Sequence, residues 1–269
     1  MVFGNKNKNI GGKYIGNKYA LMIGINYIEC DESMRLQGCI NDILFMKNML
    51  SKKYNYKNKN ITLLRDDLDD FKYKPTGNNI LYNLRNIVLK ANPNDEIWIH
   101  YSGHGSFIKD TNGDELDGND EVLIPSDFEE NGVITDDILL SILELSKCPI
   151  MITMDCCHSG SICDLTYSFH YQTDKTFSRK VERKKRIRNQ NIFMLSGCRD
   201  NQTSADVGMN DHYEGAFTRA LIDSLEYHDF NVHLFQLYIS ILDCLEIRGY
   251  TQRTLLSSSN PSPFISIHT

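Results

Sequence analysis

Short runs of consecutive apolar residues alternate along this chain with longer stretches in which apolar positions recur every three to four residues. Runs of the first kind lie at 18–26, 61–64, 95–99, 149–154, 191–196 and 263–267, and they read as buried strands. Between them, 38–50 carries apolar residues at 40, 43, 44, 46, 49 and 50, a helical spacing with one polar face. The stretch 78–90 repeats the pattern with Ile80, Leu81, Leu84, Ile87 and Val88, and 135–145, 215–227 and 232–247 read as further helices. Strands separated by helical stretches imply βαβ units. The expected fold class is therefore α/β, a mainly parallel central sheet with helices on both faces.

The stretch 166–190 reads as irregular and basic. It divides one domain, 18–269, into a larger part (18–165) and a smaller part (191–269) that share the sheet. Residues 1–17 read as a mobile leader.

Composition narrows the classes. The 269 residues are 41% hydrophobic and 24% charged, ordinary for a soluble globular protein. A net charge of −6 argues against nucleic acid as the main partner. No apolar run approaches the ~20 residues that span a bilayer. The leader is rich in glycine, lysine and asparagine, unlike a signal peptide, and Val2 stands where myristoylation needs glycine. Eight cysteines without regular spacing argue against a disulfide framework and for a reducing, cytoplasmic setting.

Two strand-like runs close on chemistry-bearing residues about fifty positions apart. Residues 100–105 are His-Tyr-Ser-Gly-His-Gly, and 155–160 are Asp-Cys-Cys-His-Ser-Gly. If the two runs are neighbouring parallel strands, their C-terminal ends share one crevice, where open α/β sheets keep their chemistry. A cysteine and a histidine so placed supply a thiol nucleophile and its base. A lone histidine is more often a satisfied core or surface residue, and a lone cysteine a small hydrophobe. The paired placement favours the chemical reading of His104 and Cys157. His100 falls within its strand and His158 directly follows the nucleophile, so both are weaker candidates. The carboxylates of Asp42 and Asp155 have two readings of equal weight. They converge on a substrate cation, as buried like charges require, or Asp155 merely caps the helix that follows it.

The blocks 102–105 and 155–160 resemble the two signatures of the metacaspases, caspase-fold cysteine peptidases of clan CD. Residues 36–42, 120–127, 196–206 and 215–221 resemble further blocks of that family in the same order. The resemblance implies a caspase-like (caspase–hemoglobinase) fold. It implies Cys157 as nucleophile, His104 as base, and the N–H groups of Gly105 and Cys157 as oxyanion donors. Cys39, Asp42, Ser102 and Asp155 match the specificity-pocket positions, which implies cleavage of protein or peptide substrates after Arg or Lys. Asp120, Asp136, Asp137 and Asp164 match the family's calcium ligands, and a monomer is implied.

Two charged stretches complete the picture. Six acids and no base lie between Asp110 and Glu121, nearly an EF-hand loop. Its sixth position, however, is Glu115 where the turn needs glycine, and its flanks read as strands. From Arg179 to Arg188 seven of ten residues are Lys or Arg. An enzyme that cuts after basic residues would cut itself in such a segment, and Lys13 and Lys18 are further candidate sites. Against the endopeptidase reading stands a non-catalytic caspase-fold scaffold, which loss of Cys157 or His104 would have signalled. A zinc–thiolate site on Cys156, Cys157, His158 and Cys163 lacks paired Cys-x-x-Cys spacing.

Overall fold

Burial on both faces makes parallel strands read as near-continuous apolar runs, and five of the six runs become neighbours in one sheet. The computed structural model describes residues 2–3, 16–109, 119–156, 162–183, 187–198, 206–209 and 212–268. Its largest sheet has eight strands: β1 (Lys18–Gly24), β2 (Ile61–Arg65), β3 (Glu96–Ser102), β4 (Ile150–Asp155), β5 (Tyr167–Tyr171), β6 (Phe177–Val181), β7 (Ile192–Cys198) and β8 (Arg253–Ser258). Their spatial order is β6-β5-β8-β7-β4-β3-β1-β2. From β7 to β2 every neighbouring pair is parallel, whereas β8, β5 and β6 join antiparallel.

Besides a single turn at Phe128–Asn131, the α-helices among the described residues are α1 (Cys39–Lys53), α2 (Gly77–Lys90), α3 (Asp136–Leu143), α4 (Ala216–Tyr227) and α5 (Leu234–Ile247). Thr76 and Thr135 cap α2 and α3, their hydroxyls accepting from the backbone N–H groups of Asn79 (3.2 Å) and Ile138 (3.4 Å). Alternation along β1 divides the core. Tyr19, Leu21 and Ile23 pack with α2 and α3, while Ala20 and Met22 pack with α1, α4 and α5.

The chain passes from β1 outward to β2, then returns to lay β3 on the other side of β1. The reversal opens a crevice at the C-terminal ends of β1 and β3. Gly24 ends β1 there, and a Cβ on it would lie 2.6 Å from the Cys39 carbonyl oxygen. Its lack of a side chain lets the start of α1 rest on the strand end.

Several elements differ from the periodicity. The stretch read as irregular holds the β5–β6 hairpin, whose alternating aromatic residues suit a half-buried strand. The last apolar run contributes only Ser266–Ile267, paired with Val232–His233 and, in parallel, with Val2–Phe3. The strand that enters the main sheet instead is β8. Thr254, Ser257 and Ser258 are buried there, and the Ser258 hydroxyl donates to the Ile192 carbonyl at 3.2 Å. As expected, strands flank the acidic stretch: Gly105–Lys109 and Asn119–Leu123 pair antiparallel. Residues 110–118 lie outside the described residues. Among the described residues no helix is long and apolar enough to cross a membrane. Cys30, Cys39, Cys148, Cys156, Cys163 and Cys244 are thiols, not disulfides.

Candidate active site

Strand register aligns the two signature blocks. Gly24, Ser102, Asp155 and Gly197 form one row across the ends of β1, β3, β4 and β7. His104 lies two residues beyond Ser102, and Cys157 two residues beyond Asp155. The Gly103 N–H donates to the Asp155 carbonyl at 3.4 Å, so the two chains are still together as they leave the sheet. Cys157 and His158 lie outside the described residues. Cys156 is buried in the core. Gly105 opens the strand that follows His104 and pairs with Leu123.

His104 is held on several sides. Its Nε2 is 2.8 Å from the carbonyl oxygen of Met34. A carbonyl can only accept, so Nε2 carries the hydrogen and Nδ1 is the nitrogen that gains or loses a proton. A backbone carbonyl thus orients the imidazole. The Tyr27 ring lies 4.6 Å from the imidazole. His100, by contrast, is wholly buried in β3, its Nδ1 2.9 Å from the Thr153 hydroxyl, and burial lowers its pKa to about 3. It is a core histidine.

The two carboxylates do converge. Asp42, on the inner face of α1, accepts from the Ser102 hydroxyl (2.6 Å) and from the Gly215 N–H (2.8 Å). Asp155 accepts from the N–H and hydroxyl of Thr218, both at 2.8 Å. A Cβ on Gly215 would lie 2.1 Å from Asp155 Oδ2 and 2.7 Å from Asp42 Oδ2, so both oxygens face one point in front of that glycine. Both residues are buried, as are Ser102 and Cys39. Asp155 also anchors the first turn of α4, in another part of the chain; capping of a helix directly after Asp155 falls outside the described residues. Gly215 and Thr218 escaped sequence reasoning as site residues because only α4's docking brings them here.

The second acidic group surrounds the start of α3. Asp136 is fully buried and accepts from the N–H groups of Glu121 (3.0 Å) and Asp137 (2.8 Å). Burial, aided by nearby Asp120, raises its pKa to about 6. Asp120 and Asp164 are also buried, and Asp164 has a left-handed backbone at φ 52°. Arg183, from just after β6, forms an ion pair with Asp164 and lies 3.7 Å from Asp137. The basic stretch thus reaches into the acid group, which no local pattern announces.

An α/β sheet ending in this crevice defines the protein's class, and solved structures agree on the fold. Caspase-1 from Spodoptera frugiperda superposes with a TM-score of 0.59 at 11% identity, over 98% of this chain and 96% of that one. A Geobacter sulfurreducens protein reaches 0.63 at 22% identity, over 92% and 95%. The fold is caspase-like. Closer relatives are found in sequence. Metacaspase-1 of Eremothecium gossypii is 34% identical over 91% of this chain and 65% of its own length. Metacaspase-1 of Ajellomyces capsulatus is 33% identical over 91% and 81%. The family model for the metacaspase peptidase C14 domain matches residues 18–166, and the chain belongs to that family. It spans slightly less than two thirds of the Eremothecium gossypii relative.

Proposed function

We propose that this chain is a cysteine endopeptidase that cleaves protein or peptide substrates after Arg or Lys. The observation that supports the reading is the pairing of Ser102 with Asp155 at the ends of β3 and β4, with His104 and Cys157 each two residues further along the sequence. In this reading the Cys157 thiol gives its proton to His104 Nδ1, and the thiolate attacks the scissile carbonyl. The Gly105 and Cys157 N–H groups receive the oxyanion. The imidazolium protonates the leaving amine, and water then hydrolyses the acyl-enzyme. The substrate's cationic side chain enters toward Asp42 and Asp155, where a guanidinium can engage both carboxylates. Cys39, buried at the start of α1, is assigned to the same pocket in this reading.

Calcium is the proposed cofactor. Asp120, Asp136, Asp137 and Asp164 offer the carboxylate oxygens that a hard divalent cation takes. Among the described residues no three such groups already stand as a cage. Yet the acids do hold a cation, the Arg183 guanidinium, so their chemistry fits the ion. Calcium there would supply the charge that orders the surrounding loops. Asp137 and Asp164 would first have to release Arg183.

Self-cleavage belongs to the same reading. Arg179 and Lys180 are within β6 and Lys18 within β1, where it also pairs with Glu96 at 3.0 Å. Peptide bonds in a sheet resist proteases, so the favoured sites are 183–188; residues 184–186, like Lys13, lie outside the described residues. A monomer is supported by the β5–β6 hairpin, which covers β8 and presents Arg179 and Lys180 at the sheet edge. The thiols support a cytoplasmic setting.

The test is hydrolysis of fluorogenic peptides ending in Arg, Lys or Asp, with calcium or chelator, by wild type and Cys157→Ala. Calcium-dependent cleavage after Arg or Lys, absent from the variant, is expected. A folded protein inactive under every condition would reverse the reading in favour of a scaffold.

A further inference from the structure

We propose that Tyr27 is a positioning residue for the reaction, fixing both the backbone and the imidazole of His104; this rests on reading His104 as the base. Tyr27 follows β1 and is almost wholly buried. Its hydroxyl accepts from the His104 N–H at 2.8 Å and donates to the Ile124 carbonyl at 2.7 Å. Burial raises its pKa well above the ordinary tyrosine value, so the hydroxyl keeps its proton for that second bond. The Tyr101 hydroxyl, 3.3 Å from that of Tyr27, donates to the His104 carbonyl at 2.7 Å. Both peptide groups of His104 are therefore held by buried phenols.

The ring does separate work. It lies 4.6 Å from the imidazole with the planes 37° apart, and the Met34 carbonyl fixes Nε2. An aromatic face near a cation stabilises it, so the ring favours the imidazolium over the neutral form. That favours the thiolate–imidazolium pair over the neutral pair.

The surrounding chain is built to hold this tyrosine. Tyr27 has φ 54°, a left-handed conformation that is unfavourable for a non-glycine residue. The buried carboxylate of Asp66 spans the kink, accepting from the Asn26 N–H and the Ile28 N–H at 3.0 Å each. Gly103 completes the seat. A Cβ there would lie 2.7 Å from the Tyr101 hydroxyl and 3.2 Å from that of Tyr27.

Two substitutions separate the roles. Tyr27→Phe keeps the ring and removes the hydroxyl; Tyr27→Leu removes both. Each is measured for kcat and KM on an Arg peptide, and for the pH dependence of Cys157 alkylation by iodoacetamide. Small displacements at reacting atoms cost up to about 100-fold. Tyr27→Phe is expected to lower kcat about tenfold with KM unchanged and the alkylation profile retained. Tyr27→Leu is expected to lose alkylation at neutral pH, with thiolate appearing only toward the ordinary cysteine range. Wild-type kcat in Tyr27→Phe would overturn the proposal, as would a loss confined to KM. Should Tyr27→Leu not fold, Tyr27→Phe decides alone. His104→Ala is the control. If it stays active, the base assignment fails, whereas an inactive His104→Ala beside a fully active Tyr27→Phe sinks only the role of Tyr27.

Discussion

Arg183 and Asp164 form an ion pair, joining the basic stretch after β6 to the segment that precedes β5. Asp137 stands 3.7 Å from the same guanidinium. The carboxylates proposed for calcium are therefore balanced by a side chain of the segment proposed for cleavage. Any cation taking those oxygens competes with Arg183.

Arg183→Gln should bind calcium more tightly than wild type, both carrying Cys157→Ala to prevent self-cleavage. The expected gain is about tenfold, the equivalent of removing a competitor worth about 1.4 kcal/mol. Without calcium the variant should melt earlier, because the buried acids lose their counter-charge. Titration calorimetry and thermal melts read both effects; equal affinities would place calcium elsewhere on the molecule.

Gly215→Ala tests the shape of the proposed pocket for a basic side chain. The backbone at Gly215 (φ −71°) accepts any residue, so the cost in stability should come only from displacing the Asp155 oxygen that holds Thr218. Its new methyl would press on Asp155 Oδ2 and Asp42 Oδ2. Turnover of Arg peptides should fall at least tenfold while Cys157 still alkylates at the wild-type rate. Unchanged Arg turnover would remove the pocket from this position.

Asp155→Asn and Asp42→Asn test its charge. Hydrogen bonds to charged groups contribute about 1.5–3 kcal/mol, so each change should lower kcat/KM for Arg peptides by roughly 10- to 100-fold. Asp155→Asn should also loosen α4, whose Thr218 it holds. If Asp peptides became the preferred substrates of wild type, the carboxylate pocket would be the wrong account.

His100 sets an acid limit on the fold. Its pKa is about 3 when buried, against an ordinary 6.5, so the unfolded chain takes up a proton that the folded one refuses. The contribution is complete above pH 6.5 and fades as pH falls from there toward 3. The slope approaches about 1.4 kcal/mol per pH unit for this one group. Urea midpoints between pH 7 and 5 should fall less steeply in His100→Leu than in wild type. Parallel curves would show that other groups dominate.

Much of the sheet was legible because a strand buried on both faces must be apolar at nearly every position. The runs ending in Ile99 and Met154 show this, as does α1 with Ile43, Met46 and Met49 on its inner face. β8 was not, since Thr254, Ser257 and Ser258 are polar by composition and become buried only when the strand pairs with the distant β7. The β5–β6 hairpin was hidden by its basic residues, which suit an edge and resemble a loop. Tyr27 gave no signal, because a left-handed backbone at a tyrosine is held by Asp66, from the turn just after β2.

By itself the sequence determined the α/β alternation and set a histidine and a cysteine just past two strand ends. Both follow from local periodicity and from the order of residues along the chain. Tertiary structure alone decided that Asp42 and Asp155 face one point before Gly215, that Met34 and Tyr27 orient His104, and that Arg183 lies against Asp164. These contacts join residues up to 173 positions apart, as Asp42 and Gly215 are. Their energies come from desolvated charges and hydrogen bonds whose partners are chosen by packing, and periodicity carries no record of that choice.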